Sequence, residues 1–157
     1  MRTYYNILLI PYILERSSNL KCCIFKREDM SVWQFIAGGG EDEEAPDQAA
    51  IREFIEESGI ASNFLKVDKL VQLDSTASVL VDHFPELVKD ALKRDIFVIP
   101  IYTFAYDITE YQGALQPSDE HTEFTWVTFE EAQQLLHFDL DKTAICELQK
   151  RLSRRNK

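Results

Sequence analysis

Three glutamates within one five-residue stretch, Glu53, Glu56 and Glu57, have the spacing in this sequence that most directly indicates chemistry. On a helix, at about 100° per residue, they share one face, and each like-charge pair costs a few tenths of a kcal/mol. Between Glu41 and Glu57 there are eight acids and one base, Arg52. A hard divalent cation such as Mg²⁺ prefers oxygen ligands and removes this repulsion. A metal site that handles phosphates is therefore one interpretation, and a solvated acidic face is the other.

A helix predicted at residues 46–58 would position these glutamates. Pro46 suits its first turn, Gly59 suits the position just past its end, and apolar residues recur at helical spacing: Ala50, Ile51, Phe54 and Ile55. Upstream, a strand predicted at 32–37 ends in three glycines at 38–40. Glycine permits φ > 0 and a close approach to a ligand. We expect a glycine turn beside the acidic helix that lets the backbone approach a ligand. The alternative is a plain tight turn without a ligand.

The remaining apolar runs predict strands and further helices that form one α/β domain. Strands are predicted at 4–14, 20–27, 65–73, 96–108 and 122–127, and helices at 84–93, 128–136 and from 139 or 141 to 154. The first two strands suggest an antiparallel hairpin, and Pro100 predicts a bulge or an edge position. No linker or repeat divides the chain, so residues 1–157 are expected to form a single domain with a mixed sheet packed against helices.

Composition and charge exclude several classes of protein. The 157 residues carry a net charge of −10, whereas a protein that binds duplex nucleic acid normally has a basic surface. The longest apolar runs are about half of the roughly 20 residues that span a bilayer, and no signal peptide is evident. Three cysteines without a C-x-x-C spacing argue against disulfides and zinc. We therefore expect a cytoplasmic protein without membrane or duplex nucleic-acid partners.

Residues 38–60 read G-x5-E-x7-R-E-u-x-E-E-x-G-u, where u is a bulky apolar residue. All nine specified positions are filled: Gly38, Glu44, Arg52, Glu53, Phe54, Glu56, Glu57, Gly59 and Ile60. This segment resembles the Nudix box, the signature of the Nudix hydrolase family. The resemblance implies the Nudix fold, an α/β architecture with a mixed β-sheet sandwiched between α-helices. It also implies Mg²⁺-dependent hydrolysis, with Mn²⁺ as a substitute, of a nucleoside diphosphate linked to another group.

The resemblance also implies a role for each residue of the box. Glu53, Glu56 and Glu57 resemble the metal-binding carboxylates, and Arg52 resembles the catalytic-site arginine that orients a box glutamate. The residues that resemble the structural and substrate loop of the family are Gly38, Gly39, Glu44 and Gly59.

Two segments outside the box resemble a bacterial subgroup, the (d)NTP and dihydroneopterin triphosphate pyrophosphohydrolases. They are Trp33-Gln34 before the glycines and Asp119-Glu120-His121 before a predicted strand. In that subgroup a glutamate outside the box completes the metal site, and Glu120 is the candidate here. Asp119 and Glu123 compete with it, and an ordinary polar turn is a further alternative. Either Glu53 or Glu120 would act as general base.

Candidates for substrate contact are two aromatic residues, Trp33 and Phe35, and one cation, Arg27. The aromatics would stack on a base or pterin, although alternating strand aromatics are more often core, and Arg27 would contact phosphates. The expected partner is a small nucleotide or pterin triphosphate, bound by a monomer or homodimer. Two other readings are open: hydrolysis of dinucleoside polyphosphates or ADP-ribose-type nucleotide sugars, and a non-catalytic binding module. Such modules tend to lose box carboxylates, and none is lost here.

Overall fold

The computed structural model describes residues 2–16, 19–92 and 95–155, without the side chain of Thr122. Within these ranges the strands are β1 (Arg2–Glu15), β2 (Asn19–Arg27), β3 (Trp33–Gln34), β4 (Ile36–Glu41), β5 (Val71–Leu80), β6 (Val98–Asp107) and β7 (His121–Thr128). The α-helices are α1 (Pro46–Ser58), α2 (Glu86–Ala91), α3 (Phe129–Leu135) and α4 (Asp139–Arg155). The four predicted helices are therefore confirmed. The predicted end of the second helix, at residue 93, lies outside the described ranges.

The described strands form one mixed sheet with the order β3-β2-β1-β6-β5, in which β4 also pairs with β1 and β7 with β2. The β1–β6 pair is parallel, and the other pairs are antiparallel, including the predicted β1–β2 hairpin. Pro100 lies opposite Ser78 of β5, whereas the pairing of β6 with β1 starts one residue later, at Ile101. Pro100 therefore pairs with a neighbouring strand on one side only. This is a local edge position, which suits a residue without a backbone N–H.

Helices cover both faces of this sheet, which confirms the predicted sandwich. Along β1, Leu8 and Ile10 belong to one apolar cluster and Ile7 and Leu9 to the other, because successive side chains of a strand point to opposite faces. The first cluster includes residues of α3 and α4, and the second includes the apolar side of α1. Within the described ranges, no helix is both long and apolar enough to cross a membrane.

Two of the strand predictions were wrong in their boundaries. The predicted strand at 65–73 is mostly two short 3-10 turns, Ser62–Phe64 and Val67–Lys69, and β5 begins only at Val71. The predicted strand at 32–37 is two strands, and the second, β4, runs through the three glycines instead of ending before them. The expected glycine turn is therefore a glycine strand, held by pairs such as Ile7↔Gly38 and Asn6↔Gly39.

Candidate active site

The helix α1 presents the acidic residues because its apolar side is fixed to the sheet. Ala49, Ala50 and Phe54 are fully buried in the second apolar cluster. The helix starts at Pro46, with the Ala45 N–H bonded to the Gln48 side chain at 2.9 Å. It ends at Ser58, and the next residue, Gly59, has a φ of +69°, a left-handed conformation that glycine adopts without strain. These contacts orient the face that carries the box glutamates toward β4.

The glycines of β4 are required by close approach, not by unusual backbone angles. None of the three in β4 has a positive φ. A Cβ atom on Gly38 would collide with the Glu53 carboxyl group, and one on Gly39 would collide with the guanidinium of Arg2. The side chains of Arg2 and Glu53 therefore lie directly against the glycine backbone. This strand forms one wall of the candidate site.

Arg52 connects the helix, the glycine strand and the loop between them. It binds both carboxylate oxygens of Glu44, at 2.9 and 3.0 Å, and the Gly39 carbonyl oxygen at 2.8 Å. It also donates to Glu53 at 3.0 Å and to Glu56 at 3.1 Å. The hydrogen bonds from Arg52 lower the pKa of Glu44, which also accepts the Glu41 N–H. The box arginine and Glu44 thus have the contacts needed for orienting and supporting roles.

Glu53, Glu57 and Glu120 interact electrostatically with one another. Burial, partly offset by Arg52, raises the pKa of Glu53 to about 7. Burial, followed by the charges of Glu53 and Glu120, raises the pKa of Glu57 to about 9, and Glu57 is only 4% exposed. Interaction with the Glu120 side chain thus adds to the rise in the pKa of Glu57. The pKa values of Glu53 and Glu57 rise because their charged forms lack water and are repelled by neighbouring carboxylates.

His121 packs against this cluster and was not predicted as a site residue. Its Nε2 atom lies 3.8 Å from Oε2 of Glu57, and its ring lies 5.2 Å from that of Phe25. Burial lowers the pKa of His121, so the neutral ring is favoured. The sequence placed His121 beside Glu120, but only the fold brings it to Glu57. The alternatives to Glu120 differ in position: Asp119 also borders the cleft, whereas Glu123 pairs with Lys26 at 3.6 Å.

The donor set fits a hard divalent cation, although its side chains are not arranged around one. Among the described residues, no three His, Cys, Asp or Glu side chains form a closed metal cluster. Glu56 is exposed and turned toward Arg52. The Oε2 atom of Glu57, however, is buried and has no hydrogen-bond partner in the described part of the chain. A cation held between Glu57, Glu53 and Glu120 would satisfy this oxygen and remove their repulsion.

The carboxylates open into a cleft of about 810 Å³. Glu57 and Glu120 line it together with the cations Arg2 and Arg27 and the apolar side chain of Phe84. A second, mainly apolar compartment of about 580 Å³ adjoins it, and the residues common to both are Asn6, Arg27, Gln34, Ala37, Phe84 and Pro85. Cations beside carboxylates, next to an apolar compartment, can receive an anionic chain attached to a flat ring.

Of the three residues predicted to contact substrate, the structure places one at the cleft and two away from it. Arg27 borders both compartments, paired with Asp29 at 2.6 Å. Phe35 is completely buried in the first apolar cluster, so it has no surface for stacking on a substrate. Trp33 packs against that same cluster and near Lys26, and it borders neither compartment. Both aromatic side chains therefore pack in the core instead of stacking on a substrate, because β3 and the segment after it face α4.

The sequence profile of the NUDIX domain matches residues 12–148, which is most of the chain. The chain therefore belongs to the NUDIX family and is a hydrolase of that family. Hydrolases of this family generally use divalent metal ions. A NUDIX family protein from Listeria monocytogenes is 40% identical, with 98% of this chain and 97% of that chain covered and a TM-score of 0.81.

Two solved structures of lower identity share the fold. The dihydroneopterin triphosphate pyrophosphohydrolase of E. coli is 20% identical, with a TM-score of 0.68 and coverage of 92% of this chain and 93% of that one. The Ap4A hydrolase of C. elegans is 16% identical, with a TM-score of 0.66 and coverage of 97% and 99%. No curated protein is significantly similar to the chain in sequence.

Proposed function

We propose that this protein is a Mg²⁺-dependent pyrophosphohydrolase. Its substrate is a nucleoside triphosphate or dihydroneopterin triphosphate, and its products are the monophosphate and pyrophosphate. The observation that carries the proposal is the cleft itself, where the buried carboxyl group of Glu57 and the exposed one of Glu120 share a lining with Arg2 and Arg27, beside an apolar compartment. The nucleoside or pterin ring would occupy that compartment, and the phosphates would lie between the carboxylates and the arginines.

Glu53, Glu57 and Glu120 are the proposed metal-holding residues, and Glu56 joins them if its side chain turns away from Arg52. A bound divalent cation supplies charge neutralisation of the phosphates and lowers the pKa of water. Arg52 holds one oxygen of Glu53, at 3.0 Å from Nη1, and leaves the other free of Arg52. The protein's own contribution is to position these charges before the substrate binds.

The proton of the attacking water is accepted by Glu53 or Glu120. A carboxylate accepts a proton most effectively when its pKa lies near the working pH. Glu53 is held by Arg52 and is half-buried, whereas Glu120 is exposed. Comparing pH–rate profiles of Glu53→Gln and Glu120→Gln distinguishes the two, because the variant without the base loses the acidic limb of the profile.

Substrates with two nucleosides or a nucleotide sugar are the alternative. The fold is shared by enzymes named for both triphosphate and Ap4A substrates, so it does not select between them. A non-catalytic module is disfavoured because Glu53, Glu56 and Glu57 are all present. Products distinguish these cases: a monophosphate and pyrophosphate from a triphosphate, two nucleotides from a dinucleotide, or a nucleotide and a sugar phosphate from a nucleotide sugar.

The substitution Glu57→Gln tests the metal site. Mg²⁺ is expected to raise the Tm of the wild-type protein, since a ligand that binds only the folded state stabilises it. Glu57→Gln should remove this rise and most turnover while the protein stays folded in EDTA. Glu43→Gln makes the same charge change on an exposed residue and should behave as wild type. An unchanged turnover and Mg²⁺ response in Glu57→Gln would overturn the assignment.

A further inference from the structure

Arg2 is a cation of the cleft to which the sequence motifs assign no role. Its guanidinium lies against the backbone of Gly39 and 5.3 Å from the centre of the Phe84 ring. It donates to the carbonyl oxygens of Thr3 and Tyr5, at 3.0 and 3.3 Å, and to Oδ1 of Asn6. These contacts hold a long side chain in one orientation before any ligand is present.

The charge of Arg2 is not neutralised by a described carboxylate. Arg27 is paired with Asp29, and Arg52 is paired with Glu44. Arg2, in contrast, has only carbonyl, amide and aromatic partners among the described residues, although the charge of Glu53 is near enough to raise its pKa. Burial acts in the opposite direction and lowers the pKa of Arg2. A half-buried guanidinium without a paired anion favours an anionic ligand.

The guanidinium has donors left for such a ligand. Of its five N–H groups, the contacts to Thr3, Tyr5 and Asn6 use two on Nη1 and one on Nη2. With respect to the described residues, Nε–H and the second Nη2–H remain. Nε and Nη2 form one edge of the guanidinium plane, and such an edge binds two oxygens of a phosphate at once.

The position of Arg2 indicates which phosphates it would bind. Arg27 borders the main cleft and the apolar compartment, so it lies toward the ring end of a substrate. Arg2 borders the main cleft and a separate recess formed by residues 39–42 and Glu53, but not the apolar compartment. It therefore lies toward the far end of the phosphate chain.

We propose that Arg2 binds the pyrophosphate part of the triphosphate substrate, the part that leaves as product. This inference rests on the proposed function, and it adds a residue of β1 to the groups that bind the phosphates. Phe84 acts through Arg2 as a positioning residue, because its ring covers the guanidinium. Removing the charge of Arg2 should raise KM for a triphosphate about 10–100-fold and change kcat less, as expected for one charge-assisted contact.

Binding of two separate products, measured by calorimetry with Mg²⁺, tests the proposal. The probes are inorganic pyrophosphate and the monophosphate product of the triphosphate that the wild-type protein cleaves fastest. For Arg2→Gln, we expect Kd for pyrophosphate to rise about 10–100-fold and Kd for the monophosphate to stay within about 2-fold. Arg2→Lys, which keeps the charge without the two-donor edge, should fall between. Arg154→Gln, on the exposed end of α4, should change neither value.

A purely structural role would give another pattern, in which Arg2→Gln weakens both probes together and lowers Tm. That result, or unchanged pyrophosphate binding, would overturn the proposal. If Arg2→Gln does not fold, Arg2→Lys carries the test, with weaker binding of pyrophosphate and unchanged binding of the monophosphate. A wild-type protein that cleaves triphosphates but binds no pyrophosphate overturns this inference only. A wild-type protein that cleaves no triphosphate overturns the proposed function.

Discussion

The wild-type protein should lose stability as pH rises because of Asp141. Replacing Asp141 with asparagine should remove this pH dependence. Asp141 lies in the first turn of α4, is 3% exposed, and accepts the Phe35 N–H at 2.9 Å. This hydrogen bond ties α4 to the segment between β3 and β4, next to the glycine strand. Burial raises the pKa of Asp141 to about 7, against the hydrogen bonds from Phe35 and its own N–H.

The direction and the size of this change in the free energy of unfolding follow from the pKa of Asp141 in the folded and unfolded states. A raised pKa means that the folded protein binds the proton more tightly than the unfolded chain, whose Asp pKa is about 3.9. The stabilisation is therefore complete below about pH 4 and is lost as pH rises through 7. A shift of about three pKa units, at about 1.4 kcal/mol each, amounts to about 4 kcal/mol at pH 8. Attraction to the N-terminus of α4, about 0.3–1 kcal/mol, is smaller, so burial dominates.

Urea unfolding of the wild-type protein and Asp141→Asn at several pH values, in EDTA, measures this effect. The amide oxygen can still accept the Phe35 N–H, and its charge does not change with pH. The free energy of unfolding of Asp141→Asn relative to wild type should increase by about 3–4 kcal/mol from pH 4 to pH 8. Asp139→Asn, on an exposed residue of the same turn, should show little change. A constant difference across this pH range for Asp141→Asn would show that the pKa of Asp141 is not raised by folding.

Two further substitutions test how the carboxylates are positioned. Gly38→Ala places a methyl group against the flexible Glu53 carboxyl, so kcat should fall at least about 10-fold with a small change in Tm. The control Gly113→Ala, in a loop far from the cleft, should keep wild-type activity. Equal activity in the two alanine variants would contradict this explanation of the glycine. Arg52→Lys cannot bridge Glu44, Glu53 and Gly39 at once, so steady-state kinetics should show lower kcat and urea unfolding a loss of about 1–2 kcal/mol. Wild-type values for both would exclude the bridging role of Arg52.

The features that the sequence predicted correctly depend on residues close together in the chain. The helix from Pro46 to Ser58 follows from its apolar spacing, its proline and its glycine, and the capping box at Thr128 forms as predicted. The spacing of the box glutamates also depends only on this helix. Their division into buried Glu57 and exposed Glu56 was not predictable, because it depends on which side of α1 meets the glycine strand.

The features that were missed depend on contacts between distant segments. The three glycines looked like a turn, yet pairing with β1 extends them as a strand, and the reason for Gly38 is a carboxyl group on another element. Strand β5 is an edge strand with alternating exposure, so its polar sequence gave no strong apolar signal. No sequence motif indicated a role for Arg2. Its position beside Gly39 and Phe84 comes from three separate elements that only the fold brings together.

Product analysis on a substrate panel shows whether the protein releases pyrophosphate from a triphosphate and whether Mg²⁺ is required. The panel contains the eight common nucleoside and deoxynucleoside triphosphates, dihydroneopterin triphosphate, diadenosine polyphosphates and ADP-ribose, each with Mg²⁺ and with EDTA. Pyrophosphate and orthophosphate are measured separately. We expect pyrophosphate and a monophosphate from at least one triphosphate, with Mg²⁺ only. Turnover of dinucleotides or ADP-ribose alone, or equal turnover in EDTA, would contradict this expectation.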